Sequence, residues 1–225
     1  MIWLITGVNR GIGRALALKA LDDGDKVIGV SRKEYDSVRE MSERFKSKFK
    51  FIIADLRYEK DIEKIVDSID EKVDFLMNNA GVLFRENYPS FSQDSFLETM
   101  KVNTFAPLKL SSLLESRGKL GPKAKIVNTS SILGSISQAS STPSYSYSIS
   151  KAALNMVTKL LSSQLRMKQI IVISVHPGWV RTNMGGNAAP VLPEDSAKGI
   201  ISLARRITMK DSGKFFDYMG REIEW

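Results

Sequence analysis

The sequence predicts a single α/β domain over residues 1–225: a doubly wound parallel sheet with helices on both faces. Three observations predict it. Short apolar, β-branched runs alternate with longer mixed segments along the whole chain, the pattern of parallel strands joined by helical crossovers. The first run leads directly into a glycine-rich turn, TGVNRGIG, at residues 6–13. A length of 225 residues, 43% hydrophobic and 26% charged, suits one domain with a sizeable core.

The elements follow in order. Residues 2–5 read as a first strand, and a helix from about 11 to 21 follows the glycine turn. Residues 26–30 are a second strand, followed by a charged helix that ends before Phe51. Residues 51–54 are a third strand with a helix over about 59–69, and residues 73–77 a fourth. A long helical stretch covers about 93–115, with a break expected near Pro107. Residues 125–129 are a fifth strand; a serine-rich loop, 130–144, leads into a helix over about 145–167. Residues 170–175 form a sixth strand, a helix spans about 193–205, and 214–216 is a short last strand. Between them, 178–193 is rich in Gly and Pro and reads as a mobile lid. No internal repeat or linker divides the chain.

Composition excludes several chemistries. There is no Cys, which removes disulfides, thiolate nucleophiles and cysteine metal sites. His176 is the one histidine, so no histidine metal cluster exists and no metal is expected. A Ser-His-Asp hydrolase would have to use it, and no G-x-S-x-G elbow is present. The N-terminal run lacks the flanks of a signal peptide, and no apolar run is long enough to span a bilayer. The default is a cytoplasmic protein with no membrane partner. The formal charge of +8 is spread along the chain, and acidic residues interleave with the densest basic stretch, 32–50. That reads as a solvated face rather than a nucleic-acid surface, while still favouring a small phosphorylated ligand.

Two stretches carry candidate chemistry. In TGVNRGIG, Gly7 permits a sharp exit from the strand, while Gly11 and Gly13 bring backbone close to phosphate and helix close to sheet. A pyrophosphate would then face the amides of the helix N-terminus. The gap between the first two glycines is wider than in the strict G-x-G-x-x-G fingerprint. The second stretch is YSYSISK, residues 145–151. On a helix, residues four apart share a face, so Tyr147 can place its hydroxyl beside the Lys151 ammonium, whereas Tyr145 lies well around the helix. An ammonium there lowers the phenol pKa from its ordinary value of about 10 and suits the tyrosine to proton transfer near neutrality.

These pieces, in this order, resemble the short-chain dehydrogenases/reductases, closest by eye to small carbonyl-reductase-like and C-factor-like members. TGVNRGIG resembles the family's cofactor loop, NNAG (78–81) its motif after the fourth strand, and PGWVRT (177–182) its segment beyond the sixth. Asn103, Ser131, Tyr147 and Lys151 resemble its catalytic four. The resemblance implies a Rossmann-type fold and an oxidoreductase passing hydride between a nicotinamide cofactor and a small carbonyl or alcohol. Tyr147 would donate the proton, Lys151 would tune it and hold the nicotinamide ribose, Ser131 would align the oxygen, and Asn103 would anchor a relay water. Ser130 is the alternative to Ser131, and local satisfaction is the alternative for Asn103. The sixteen residues from Ser131 to Tyr147 exceed the family's usual spacing, the excess falling in SQASSTPS (137–144) beside the site. A cofactor-binding signalling protein with little turnover is the rival reading. Homodimers or homotetramers through the long helices are common in the family, and monomers also occur.

The cofactor residues implied are Gly7, Asn9, Arg10, Gly11, Ile12, Gly13, Arg32, Asp55, Leu56, Asn79, Ala80, Gly81, Pro177, Gly178, Val180 and Thr182, with Tyr147 and Lys151. Asp55 resembles the adenine contact and could equally cap the next helix. An NAD site usually carries a carboxylate roughly 20 residues beyond the glycine loop. The second strand ends GVSRK instead, with Arg32 at its tip and Arg10 in the loop as a second cation. The pair favours NADP(H) over NAD(H), because an arginine fork fits a 2′-phosphate.

Overall fold

A computed structural model describes residues 1–86, 88–140, 142 and 144–225. Its elements are β1 (Ile2–Thr6), α1 (Gly11–Asp22), β2 (Lys26–Ser31), α2 (Asp36–Phe45), β3 (Phe49–Ile53), α3 (Glu59–Asp67), β4 (Val73–Asn78), α4 (Gln93–Met100), α5 (Ala106–Ser116), β5 (Leu120–Thr129), α6 (Tyr145–Gln164), β6 (Ile171–His176), α7 (Pro193–Arg206), β7 (Phe215–Asp217) and β8 (Glu222–Ile223). The eight strands form one sheet in the order β3-β2-β1-β4-β5-β6-β7-β8. All neighbours pair in parallel except β7 and β8, an antiparallel addition the sequence did not announce.

Strand side chains alternate between two apolar layers, which is why the strands read as continuous hydrophobic runs. Trp3 and Ile5 point into a cluster with Leu16 of α1, Met41 of α2 and Ile200 of α7. Leu4, between them, points into the opposite cluster with Ile62 of α3, Leu110 of α5 and Leu154 of α6. Trp3 is fully buried, its ring stacks 3.9 Å from that of Phe75, and its indole N–H donates to Asp25 at 2.8 Å.

The sheet order reverses at β1. Successive strands build outward from β1 to β3, and the chain then returns to lay β4 on β1's other edge. Ligand crevices form at such a switch point, outside the carboxyl ends of the strands. The glycine turn and NNAG follow β1 and β4, so both motifs open onto that crevice.

Several boundaries differ from the expected ones. Strand β3 starts at Phe49, and β5 at Leu120, where Lys123 adopts a left-handed φ of 61° and the register with β4 shifts. The long helical stretch is interrupted not at Pro107, which sits in the first turn of α5, but by a π-helical turn at Lys101–Phe105. Helix α6 ends at Gln164, and a 3₁₀ turn covers Arg166–Lys168. The segment 178–193 carries ordered ties of its own. Arg181 N–H donates to Val191 O at 2.8 Å, Val191 N–H to Trp179 O at 3.2 Å, and the Trp179 indole to Gly185 O at 2.8 Å. Among the described residues, no helix is long and apolar enough to cross a membrane.

Replacing Trp3 with Ala removes the centre of one layer and leaves Asp25 short of a donor. The expected destabilisation is ~3–5 kcal/mol, read from the urea midpoint at unchanged slope.

Candidate active site

The site begins at the joint between β1 and β4. Thr6 Oγ1 accepts from the amides of Asn79 and Ala80, each at 3.0 Å, and the Asn79 carboxamide donates back to Thr6 O at 2.9 Å. Gly7 leaves β1 with φ +79°. A Cβ on Gly13 would lie 2.1 Å from Gly7 O and 2.5 Å from Asn79 Nδ2, so only glycine lets α1 come this close. The first turn of α1 carries no acidic residue, and no side chain caps its amides.

A cavity of about 400 Å³ runs from this joint. Of the residues the sequence singles out, Gly7, Asn9, Arg10, Gly11, Ile12, Gly13, Arg32, Asp55, Leu56, Asn79, Ala80, Gly81, Tyr147, Lys151, Pro177 and Thr182 line it. Four do not line it. Gly178 turns the chain with φ +88° against Tyr218 and Val191, and Val180 is buried in a bridge to Val191. Asn103 is fully buried, and its carboxamide is spent locally: Oδ1 accepts from Val82 N at 2.8 Å, while Nδ2 donates to Val82 O at 2.9 Å and Ser150 Oγ at 3.0 Å. Ser131 caps a 3₁₀ turn, its hydroxyl accepting from Leu133 N at 3.2 Å.

At one end of the cavity, Asp55 does not cap α3, whose N-cap is Tyr58. Arg57 grips its carboxylate, the closest contact being 2.6 Å. Burial works against the Asp55 charge, and the Arg57 side-chain and backbone donors outweigh it, holding its pKa below the ordinary range. Arg57 also reaches Glu98 at 3.5 Å. It lines the cavity but was missed from sequence, since nothing local marks its partner. Among the described residues, neither Arg10 nor Arg32 is in an ion pair, and both are exposed at the rim. That arrangement fits a phosphate-bearing dinucleotide: a glycine cradle, uncapped helix amides, and two guanidinium groups outside any ion pair, Arg10 in the glycine turn and Arg32 just past β2.

At the other end, α6 puts Tyr147 and Lys151 on its buried face, with the Lys151 ammonium 5.5 Å from the Tyr147 ring centroid. Tyr145 turns away to pack on Tyr88 and Phe91. Lys151 Nζ donates to Thr129 O at 2.7 Å, and a Cβ on Gly134 would lie 2.6 Å from the Lys151 carbonyl carbon, so α6 presses directly on the turn after β5. The Ser130 hydroxyl is turned to Lys151 O at 3.3 Å, whereas the Ser131 hydroxyl acts on the phenol and favours its charged form. Ser130 lines the cavity and Ser131 does not. Of the 137–144 loop beside them, Ser141 and Pro143 lie outside the described residues.

The expected lowering of the phenol pKa is not what the protein alone produces. Burial pushes Tyr147 up to about 12, and the Ser131 hydroxyl only partly offsets it. Burial also lowers Lys151 to about 8. The lone histidine is structural: burial lowers His176 to about 4, and its Nδ1 accepts from Ile132 N at 3.3 Å.

The lysine shift has a signed consequence. A folded pKa of about 8 lies below the unfolded value of about 10.4, so the unfolded chain binds more protons between them. The Lys151 contribution to stability therefore rises with pH across that window, by at most about 1.4 kcal/mol per pH unit. Lys151→Met removes this term. Its stability relative to wild type should fall steadily from pH 7.5 to 9.5 in denaturant titrations; a constant difference would refute the shift.

Comparison with known proteins agrees with this geometry. Residues 1–191 match the family described as short chain dehydrogenase. C-signal of Myxococcus xanthus is 33% identical over 159 residues, covering 68% of this chain and 93% of that protein. An NADPH-bound carbonyl reductase from chicken fatty liver superposes with TM-score 0.92 at 28% identity, covering 99% of this chain and 98% of the other. The carbonyl reductase Sniffer of D. melanogaster does so with TM-score 0.90 at 30% identity, covering 100% and 98%. With the glycine turn, the β4 motif and the α6 pair all around one cavity, the chain belongs to the short-chain dehydrogenase family.

Proposed function

We propose that this protein is an NADP(H)-dependent reductase of small-molecule carbonyls. The observation that carries the reading is the buried Tyr147–Lys151 pair on the wall of the cavity that starts at the glycine turn. The NADPH-bound relative supports the choice of cofactor, as do Arg10 and Arg32 at the rim where an NAD site would carry a carboxylate. NADPH, when bound, supplies hydride to the carbonyl carbon. Gly7, Gly11 and Gly13 with the first turn of α1 hold the pyrophosphate, and Arg10 and Arg32 hold the 2′-phosphate. Tyr147 donates its phenolic proton to the oxygen that becomes the hydroxyl. Ser131, beside the phenol, aligns that oxygen, and Lys151 holds the ribose and a positive charge beside the phenol. Asn103 acts through position, fixing Val82 and Ser150.

A second reading rests on the C-signal relative: a cofactor-binding signalling protein, since fold alone does not decide activity. NADPH oxidation over a panel of aldehydes, ketones and diketones separates the two. Turnover supports the reductase; tight NADPH binding with no turnover on any carbonyl supports the rival.

Tyr147→Phe should lower turnover by ~10²–10⁴ with NADPH affinity nearly unchanged in fluorescence titration. Tyr145→Phe should be mild. Arg32→Asp should weaken NADPH by about tenfold or more, the worth of a charge-assisted hydrogen bond, and NADH far less; equal losses for both cofactors would remove Arg32 as the phosphate reader.

A further inference from the structure

Glu86 is a buried carboxylate for which the chemistry above has no use. It follows β4, is 8% exposed, and gives both oxygens to the start of α6. Oε2 accepts from the Ser144 hydroxyl and the Ser146 amide, each at 3.1 Å, and Oε1 accepts from the Ser146 hydroxyl at 2.8 Å. Burial opposes its charge, and the Ser146 and Ser144 donors overcome this and keep its pKa below the ordinary carboxylate value. A carboxylate is also well placed at a helix N-terminus, where the peptide dipoles favour negative charge.

The partners of Glu86 lead to Tyr147. Ser144 is the N-cap of α6, and its Oγ accepts from the Tyr147 amide at 3.2 Å. On the other side of the same residue, the Ser150 hydroxyl donates to Tyr147 O at 2.7 Å and accepts from Asn103 Nδ2. Asn103 in turn pairs twice with the Val82 backbone. The segment 82–86 is thus fastened at both ends to groups that hold Tyr147, one through its amide and one through its carbonyl.

We propose that Glu86 is a positioning residue for Tyr147: its carboxylate clamps the first turn of α6 and, with Asn103 at the far end of the same segment, sets where the phenol stands. The proposal rests on Tyr147 being the proton donor. A displacement near 1 Å can cost about 10²-fold in rate, so a clamp of this kind acts on the chemical step and leaves cofactor binding alone, since Glu86 does not line the cavity.

The test compares Glu86→Ala with Glu86→Gln, whose amide can accept from one serine and donate to another. Glu86→Ala should lower kcat for carbonyl reduction about ten- to a hundredfold, leave KM for NADPH unchanged, and enlarge the isotope effect with 4-deuterated NADPH. Glu86→Gln should recover most of the rate. Wild-type kcat and isotope effect in the alanine variant, or a glutamine variant as slow as alanine, would overturn the proposal. Hydrogen exchange gives a readout independent of turnover: the amides of Ser146, Tyr147 and Ser148 should exchange faster in Glu86→Ala and at the wild-type rate in Glu86→Gln. Unchanged protection in the alanine variant overturns the clamp even if wild type reduces no carbonyl, an outcome that would separately remove the reductase reading. If Glu86→Ala does not fold, Ser146→Ala, which removes one donor, carries the same expectation at smaller size.

Discussion

The carboxyl ends of β1 and β4 have to meet, and everything at the site depends on how closely they do. They are adjacent strands far apart in sequence, joined where the sheet reverses direction. Thr6 closes the joint by accepting two β4-side amides on one hydroxyl, and Asn79 returns a bond to Thr6 O. That closure leaves no space for a Cβ at Gly13. The same missing atom seats the N-terminus of α1 beside the cavity, with its first amides uncapped by any side chain. Side-chain absence is therefore the structural requirement here, and the positive end of α1 is what it makes available.

A second constraint runs across the sheet interior. Asn78 donates to Asn128 at 2.8 Å, Asn128 to Thr158 at 2.9 Å, and Thr158 shares a hydrogen bond with Ser174 at 2.8 Å. The ladder joins β4, β5, α6 and β6 through fully or almost fully buried polar groups. Each is satisfied, so the cost of burying them is met, and a shift of α6 along its axis would break several at once. The face of α6 that carries Tyr147 and Lys151 is thereby registered from below by this ladder and from its N-terminus by Glu86 and Ser144.

What the sequence could disclose was local. Alternating runs located the strands, glycine spacing located the β1 turn, and a spacing of four distinguished Tyr147 from Tyr145. Features set by distant partners stayed hidden. The π-helical turn at Lys101–Phe105 has no local breaker; its Asn103 is committed to Val82, twenty-one residues earlier. Nothing local marks Arg57 or Glu86, since the fold brings Asp55 and the α6 serines to them. The early start of β5 has no apolar run to mark it: Gly121 and Pro122 fall where the register with β4 shifts, between Leu120 and Lys125. The segment 178–193 looked loose because its ties are backbone bonds and one indole, none of which leaves a compositional trace.

The electrostatics of the α6 pair also escaped a local argument. Spacing alone places a cation by a phenol and implies a more acidic phenol. Burial acts on both heads, however, and it disfavours the charged form of each: the phenol rises to about 12 and the ammonium falls to about 8. The order of acidity that results suits reduction. Near neutrality the phenol is protonated and the lysine still carries charge, the states that the proposed roles of Tyr147 and Lys151 require. Burial of α6's inner face thus opposes charge on both heads at once, the reverse of what spacing alone implies for the phenol.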